Sequence, residues 1–400
     1  MSRAGWLRAF GAWIGLLGAL GWPRSSVAWT QSGHMQIAAY AYDALPERTR
    51  SSWVALLRQH PRFEHDFLAQ LPADVRTPAE QARWIFLWAA VWPDLLRGQP
   101  ELERGNWHYV NLPLALRNGA LASCRQARAE YPESHRRVAA ELARRHPAPA
   151  ARATASAPLT PLGPDEIRQA LAWARRTLGE PKRSAPERAV ALSWLLHLVG
   201  DAHQPLHAVA LFTPRRFEFG DRGGNDIRAR DQGSLHQLWD GLLGEDTSLG
   251  FVTAQARRWR QTPALQPLAR EARRSLDVET WLDEDCALAR SSVYTPAVLS
   301  AVQSAEAAAS VAAAADAKPE LALDALYRER AQQAAERRAV QAAARLGALL
   351  ESLPAQLEGR AGGEGPGSKP AQFTPGPRPA QFTPGPKPAQ FKSDGLRLRP

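Results

Sequence analysis

The sequence predicts an all-α protein with a single, mainly helical domain, and three observations support this. Apolar residues recur at helical spacing in almost every segment without proline or glycine between residues 29 and 355, whereas strand signals are scarce. The 400 residues are 44% hydrophobic and 22% charged, enough to bury a large core, which excludes intrinsic disorder for most of the chain. No change in composition marks a boundary, so we expect one domain over residues 29–360.

The first element, residues 1–28, is predicted to be a signal peptide. Arg3 and Arg8 introduce a 14-residue apolar run, and small residues precede Trp29 at the positions that a signal peptidase reads. A membrane anchor is the alternative, but the run is shorter than the roughly 20 apolar residues that span a bilayer. We therefore expect cleavage between Ala28 and Trp29, export to the periplasm or the medium, and no stable membrane insertion of the mature protein.

Helices follow from the periodicity at about 33–45, 47–59, 78–97, 165–179, 185–203, 234–244, 253–270, 294–317 and 322–353. Residues 146–164, rich in alanine and proline, predict an exposed insertion, and four glycines within 213–233 predict a second loop.

The last element, residues 361–400, is predicted to be a disordered tail. A proline-rich segment starting at Lys369 recurs with a nine-residue period, and dense proline blocks helix and sheet. Of the net charge of +10, residues 1–28 carry +3 and the tail carries +4, which leaves +3 on the domain. The basicity of the whole chain is therefore a weak argument for a nucleic-acid partner.

The strongest local motif is His197-x-x-x-Asp201 on an apolar helix. The spacing of four places both side chains on one face, where an unpaired carboxylate would cost several kcal/mol to bury. Asp201 therefore needs a cation, a strong donor or a metal. A structural hydrogen bond to His197 and a metal site both satisfy this motif.

A second copy of the spacing, His236-x-x-x-Asp240, favours the metal site, because two such helices face to face can hold a metal cluster. Further candidates are Asp94 at the end of an aromatic-rich helix, His108, and His34, which lies five residues after Trp29.

Taken together, these motifs resemble those of the S1/P1 nuclease family, which is zinc-dependent and related in fold to bacterial zinc phospholipases C. The matching segments are Trp29, His34, Trp92-Pro-Asp94, Trp107-His108-Tyr109-Val-Asn111, His197 to His207, Gly223-Gly224-Asn225, and Leu235-His236 to Trp239-Asp240. They cover residues 29–240 and fill all nine positions of the family's zinc ligands with the expected residue types.

The resemblance implies three zinc ions. One would be held by Asp94, His108 and His197, and a second by the amino group and carbonyl oxygen of Trp29 and by His34, with Asp201 bridging the two; the third would take His207, His236 and Asp240. An α-amino group has an ordinary pKa near 7.7 to 8.0, so a metal readily displaces its proton. Signal cleavage would thus create a ligand.

The resemblance also implies hydrolysis of single-stranded RNA, DNA and 3′-nucleotides to 5′-phosphate products by a metal-activated hydroxide. Asp94 and Asp201 would serve catalysis by holding the ions, and Arg97 would donate to the transition state; its alternative is a surface arginine that ends a helix. Tyr109 would stack a base, with plain core packing as its alternative. Asn111 would bind the edge of that base, and Asn225 would orient a ligand.

Two other functions remain open at this stage: a phospholipase C that uses the same metals, and a non-catalytic, exported zinc-binding protein. No obligate protein partner is evident. Family spacing and export favour a disulfide between Cys124 and Cys286, although the sequence alone leaves their pairing open. Of the remaining histidines, His60 and His65 are expected to be exposed, and His203 is not expected to bind metal.

Overall fold

The computed structural model describes residues 29–99, 101–145, 165–309 and 318–353. The predicted signal peptide, the insertion at 146–164 and the tail at 361–400 lie outside the described residues. No helix within the described ranges combines the length and the apolar character needed to cross a bilayer.

The described chain is mainly helical, as predicted. Its helices are α1 Gln31–Ala44, α2 Glu47–Leu57, α3 Pro78–Ala89, α4 Trp92–Leu95, α5 Cys124–Arg145, α6 Ile167–Gly179, α7 Ala185–Asp201, α8 Pro205–Ala208, α9 Leu235–Asp240, α10 Leu249–Gln261, α11 Gln266–Ala272, α12 Val278–Leu288, α13 Pro296–Ala308 and α14 Ala325–Ser352. Two π-helical turns, Phe63–Phe67 and Ala289–Val293, and several 3-10 turns join them.

Helix α7 is the centre of the core and packs against α1, α2, α3, α6 and α14. A capping box of Ser184 and Glu187 starts it, and it is buried along almost its whole length. A helix that is apolar on every side belongs inside a protein, so the two polar residues near its end, His197 and Asp201, are carried into the core.

Within the described ranges, six short strands form two small sheets. Strand β1 Leu112–Arg117 lies between β2 Ala120–Leu121, antiparallel, and β3 Val209–Phe212, parallel, with Leu112 opposite Val209. Strand β4 Arg228–Ala229 lies between β5 Gly233–Ser234, antiparallel, and β6 Glu320–Leu321, parallel. The first sheet holds the segment after His108 against the segment after His207.

Helices α5 and α12 were not predicted. Helix α5 contains Pro132 and is dense in arginine and glutamate, so its content of apolar residues is low. A disulfide between Cys124 and Cys286 ties α5 to α12, with the two Cα atoms 5.8 Å apart. The pairing that family spacing and export favoured is therefore present.

Two predicted helices are divided in the structure. The predicted helix at 78–97 separates into α3 and α4, with Pro93 in the first turn of α4. The predicted helix at 253–270 separates into α10 and α11 at a turn that begins with Pro263. In both cases a proline restarts the helix because it fixes φ and removes a backbone donor.

Candidate metal centre

All eight side chains that the sequence suggests as metal ligands are buried together in three groups. The groups are His34, His197 and Asp201; Asp94, His108 and His197; and His207, His236 and Asp240, and within each group the ligand atoms lie within 4.8 Å of one another. The ligands come from α1, α4, the 3-10 turn before Tyr109, α7, α8 and α9. The fold therefore brings together residues that are more than 200 positions apart.

The first two groups share His197 and meet at Asp201. Oδ1 of Asp201 lies 3.3 Å from Nε2 of His34, while its Oδ2 lies 3.2 Å from Nε2 of His197 and 2.9 Å from Nδ1 of His108. The two oxygens thus face different histidines. This is the arrangement that a carboxylate bridging two ions requires.

Backbone carbonyl oxygens fix the orientation of three of these rings. Nδ1 of His197 donates to the carbonyl oxygen of Ala90 at 2.7 Å, Nδ1 of His207 to that of His108 at 2.6 Å, and Nδ1 of His236 to that of Gly223 at 2.6 Å. Each ring therefore directs Nε2 toward the group, and histidine ligands of metals are commonly oriented in this way by a hydrogen bond from the other ring nitrogen.

The third group gives the sharpest test of whether a metal fits. Nε2 of His207 lies 3.1 Å from Nε2 of His236, which lies 3.3 Å from Oδ2 of Asp240. Since both Nδ1 atoms donate elsewhere, both Nε2 atoms carry lone pairs and neither can donate to the other. A cation between them removes this repulsion, and two imidazoles with a carboxylate are ordinary zinc ligands.

Buried atoms without a hydrogen-bond partner indicate that a metal also fits the other two groups. Among the described residues, both ring nitrogens of His34, Oδ2 of Asp94 and Oδ1 of Asp201 are buried without a hydrogen bond. Buried polar atoms are rarely left unsatisfied, so their concentration here fits metal coordination.

When no ion is bound, the pKa values differ between the third group and the other two. Burial lowers the pKa of His207 to about 4, lowers the pKa of His236 well below its ordinary value, and raises that of Asp240 well above it. Burial also opposes charge on His197, but the neighbouring carboxylates Asp201 and Asp94 outweigh it and raise its pKa to about 9. The third group therefore has little positive charge of its own to offer a phosphate.

Trp29 is buried beside these groups. Its indole Nε1 donates to the carbonyl oxygen of Gly200 at 3.1 Å, and the backbone N–H of Thr30 donates to the carbonyl oxygen of Asp240 at 3.1 Å. The segment predicted to become the amino terminus is thus held between the ends of α7 and α9.

Arg97 lies against the candidate ligand Asp94. Its Nε and Nη2 donate to Oδ1 of Asp94 at 3.2 and 3.0 Å, and its side chain keeps 23% of its surface exposed. An arginine that ends a helix on the open surface would not be directed at a buried carboxylate, so this geometry supports the role of Arg97 near the reacting group.

The three predicted substrate residues surround the groups on loops. The ring of Tyr109 is 38% exposed, which argues against core packing as its role. Asn111 is half-buried with a left-handed φ of 57°, which asparagine tolerates. Asn225 donates from Nδ2 to the carbonyl oxygen of Arg222 at 2.9 Å, so it shapes the loop that also orients His236. Their contacts with substrate stay predictions.

The structure adds supporting residues that sequence reasoning did not single out. Nε2 of Gln204 donates to Oδ1 of Asp240 at 2.7 Å, and Oδ2 of Asp66 accepts from the indole of Trp92 at 2.8 Å, which fixes α4. Gln204 lies inside the His197 to His207 motif and could have been found there; no sequence signal marks Asp66.

The expectation that His60 is exposed was wrong. It is only 3% exposed and lies edge-on to Trp92, with ring centroids 4.4 Å apart. The chain turns back after α2 and carries the ring under α4, which the polar neighbours in the sequence do not reveal. His65 is exposed as expected, with 82% of its side-chain surface accessible. His203 binds Val199 and Arg345 instead of the metal groups.

Two comparisons relate the chain to proteins of known class. The model of the family described as S1/P1 Nuclease matches residues 29–355, a span that contains every candidate ligand. Among curated proteins, the chain is similar to Endonuclease 4 of Arabidopsis thaliana, with 41% identity over 58 residues. That segment covers 14% of this chain and 17% of the length of the relative.

Proposed function

The chain belongs to the S1/P1 nuclease family, and on that premise we propose that it is an exported, zinc-dependent endonuclease and 3′-nucleotidase that hydrolyses single-stranded RNA and DNA to 5′-phosphate products. The family makes a phosphodiesterase hydrolase the reaction class. The observation that carries the proposal is that eight histidine and aspartate side chains, all of types that bind metals, come together in three neighbouring buried groups.

The proposed ligand sets combine the three groups with the family resemblance, which adds Trp29. Asp94, His108 and His197 would hold one ion, and His34 with the amino group and carbonyl oxygen of Trp29 a second, with Asp201 bridging the two; His207, His236 and Asp240 would hold a third. When bound, the ions supply a water of lowered pKa and a positive surface for a phosphodiester.

The chain's own residues would place the substrate. Arg97 orients Asp94 and brings the charge of its guanidinium, which is partly exposed, to the place where a phosphoryl oxygen would bind. The exposed ring of Tyr109 can stack on any base that is unpaired, which suits single strands and disfavours duplexes. Asn111, two residues on, would hydrogen-bond the edge of that base.

Product analysis tests this function. The mature protein, loaded with zinc, is given single-stranded RNA, duplex DNA and phosphatidylcholine vesicles in parallel, and we expect 5′-nucleotides from the single strand and little from the other two. Cleavage of phosphatidylcholine with intact RNA would instead establish a phospholipase C. A preparation of Asp240→Asn made in the same way controls for contaminating nucleases, because it should hold the third ion weakly.

The region around Trp29 also supports the proposal that the protein is exported. The signal-like residues before Trp29, the buried position of Trp29 and the start of the family match at residue 29 all support cleavage at that bond. Amino-terminal sequencing of the protein from culture medium and periplasm should begin at Trp29; a protein that keeps Ala28 would contradict the cleavage site.

A further inference from the structure

A groove away from the metal groups has no role in the function proposed above. It has a volume of about 590 Å³ and is bordered by α11, α12, the turn Ala289–Val293 and α14. None of the candidate metal ligands lines this groove. Its floor is apolar and includes Leu268, Leu288 and Ala334.

Two arginines on one side of this groove are not paired within the described part of the chain. Arg330 and Arg337 both line the groove, are both exposed, and have neither an ion pair nor a side-chain hydrogen bond with a described residue. They are seven residues apart on α14, or two helical turns and about 10 Å. Both therefore lie on one face of the helix, far enough apart to contact different phosphates of one strand.

The acidic group of the lining is already neutralised. Glu284 accepts from Nη1 and Nη2 of Arg345 at 2.7 Å each and from Nη1 of Arg338 at 2.5 Å. The groove therefore presents the charges of Arg330 and Arg337 to an incoming ligand without a competing carboxylate. Complementarity of charge points to a polyanion.

The opposite wall contributes hydroxyl groups on an unusual backbone. Ser291 and Ser292 lie on the π-helical turn Ala289–Val293 and line the groove. Turns of this kind are rare and are frequent at functional sites. Oγ of Ser291 donates to the carbonyl oxygen of Leu288 at 3.3 Å, so the hydroxyl of Ser292, 3.3 Å from Oγ of Ser291, is the neutral donor that can accompany a phosphate contact.

We propose that this groove is a second binding site for single-stranded nucleic acid, in which Arg330 and Arg337 hold the phosphate backbone and the apolar floor receives the faces of unpaired bases. The inference rests on the proposed function, which it deepens: long strands would be held at two places and short ones only at the metal centre. Single-stranded sites elsewhere combine a cationic groove that follows the backbone with aromatic side chains for the bases; here Leu268 and Leu288 would take the place of the aromatic side chains.

The test compares substrate lengths in the zinc-loaded enzyme. The double variant Arg330→Ala/Arg337→Ala should raise KM for a long single-stranded oligonucleotide about tenfold at 0.1 M salt, because two phosphate contacts are lost. Its kcat, and both constants for a dinucleotide, should stay unchanged. The dependence of log affinity on log salt, measured with a labelled phosphorothioate oligonucleotide, should become shallower by about 1.4.

The matched control is Arg48→Ala/Arg125→Ala, which removes the same charge from exposed arginines on α2 and α5. An equal loss of affinity in this control, or an equal loss for the dinucleotide, would overturn the groove as a site. Competition by inorganic polyphosphate as strong as that by oligonucleotide would overturn the assignment to nucleic acid. Failure of the wild type to cleave either substrate would refute the proposed function, while the binding measurement would still decide on the groove.

Discussion

At the scale of single residues, Asp201 has the largest predicted effect, because its two oxygens face histidines of two different groups. Asp201→Asn should reduce the zinc content of the purified protein from about three ions to about one, measured by elemental analysis. The control is Asp43→Asn. Asp43 lies on the same helix as His34 and accepts a hydrogen bond from Arg83, and its variant should keep all ions. Loss of a single ion from Asp201→Asn would refute the bridge.

Gly200 leaves space for the ring of His34 because it has no side chain. A Cβ atom there would lie 2.8 Å from Nδ1 of His34 and 3.0 Å from its Cε1. Gly200→Ala should therefore displace the His34 ring and weaken zinc binding by about 10-fold to 100-fold, the usual range for residues that support ligands. Competition with a chelator measures this. Gly179→Ala, at a position with open space around the added carbon, should bind zinc as the wild type does.

His60 gives a dependence of stability on pH. Burial lowers its pKa to about 4 from 6.5, so the unfolded state binds the proton more strongly than the folded state. The contribution of neutral, buried His60 to the free energy of unfolding is complete above pH 6.5. It falls by about 3 kcal/mol as the pH is lowered to 4. The difference in unfolding free energy between the wild type and His60→Leu should shrink by this amount between pH 7 and 4 in urea titrations. A constant difference would contradict the assignment.

At the scale of elements, the disulfide between α5 and α12 closes a loop of 162 residues. The chain-entropy relation gives about 5 kcal/mol for a loop of that length. Cys124→Ala/Cys286→Ala should lower the free energy of unfolding by up to that amount in denaturant, with little change in zinc content, since neither helix carries a ligand. Zinc loss that parallels the loss of stability would show that α12 supports the centre directly.

Elements could be predicted from the sequence wherever apolar residues were frequent at helical spacing or filled the whole segment, as in α1, α6, α7 and α14. Helix α5 was missed because solvent covers much of it and few apolar residues mark its inner face. Strands β1 and β2 were missed although Asn118 and Gly119, both with positive φ, form the two-residue turn typical of a hairpin. Strand β3 pairs with β1 across almost a hundred residues, a contact that local sequence does not contain.

At the scale of the whole molecule, the sequence predicted which candidate ligands come together better than it predicted how they are held. Two spacings of four paired His197 with Asp201 and His236 with Asp240, local motifs added His34, Asp94 and His108, and the family resemblance completed the set. The carbonyl oxygens of Ala90 and Gly223 that orient the rings carry no signature, because every residue has a carbonyl group. Positioning by the backbone becomes visible only in the folded chain.

The position of Trp29 gives a prediction for the complete protein. A variant that keeps one extra residue before Trp29 should fold and retain the ligands of the other ions, yet lose most activity, because its first amino group is no longer free where the second ion would bind. Circular dichroism, zinc content and cleavage of a single strand measure these three properties. Normal turnover by this variant would show that the amino terminus is not a ligand.

The hydrogen bonds from Trp29 to Gly200 and from Thr30 to Asp240 join points 171 and 210 residues apart. Contacts between such distant points form late, since the entropy of closing the loop is lost before they stabilise the chain. The segment around Trp29, although it is synthesised early, would thus be among the last to reach its native place. A chain that stops before residue 240 would lack both a candidate ligand of the third group and the carbonyl oxygen that accepts from Thr30, so its amino-terminal segment would have no native partner there.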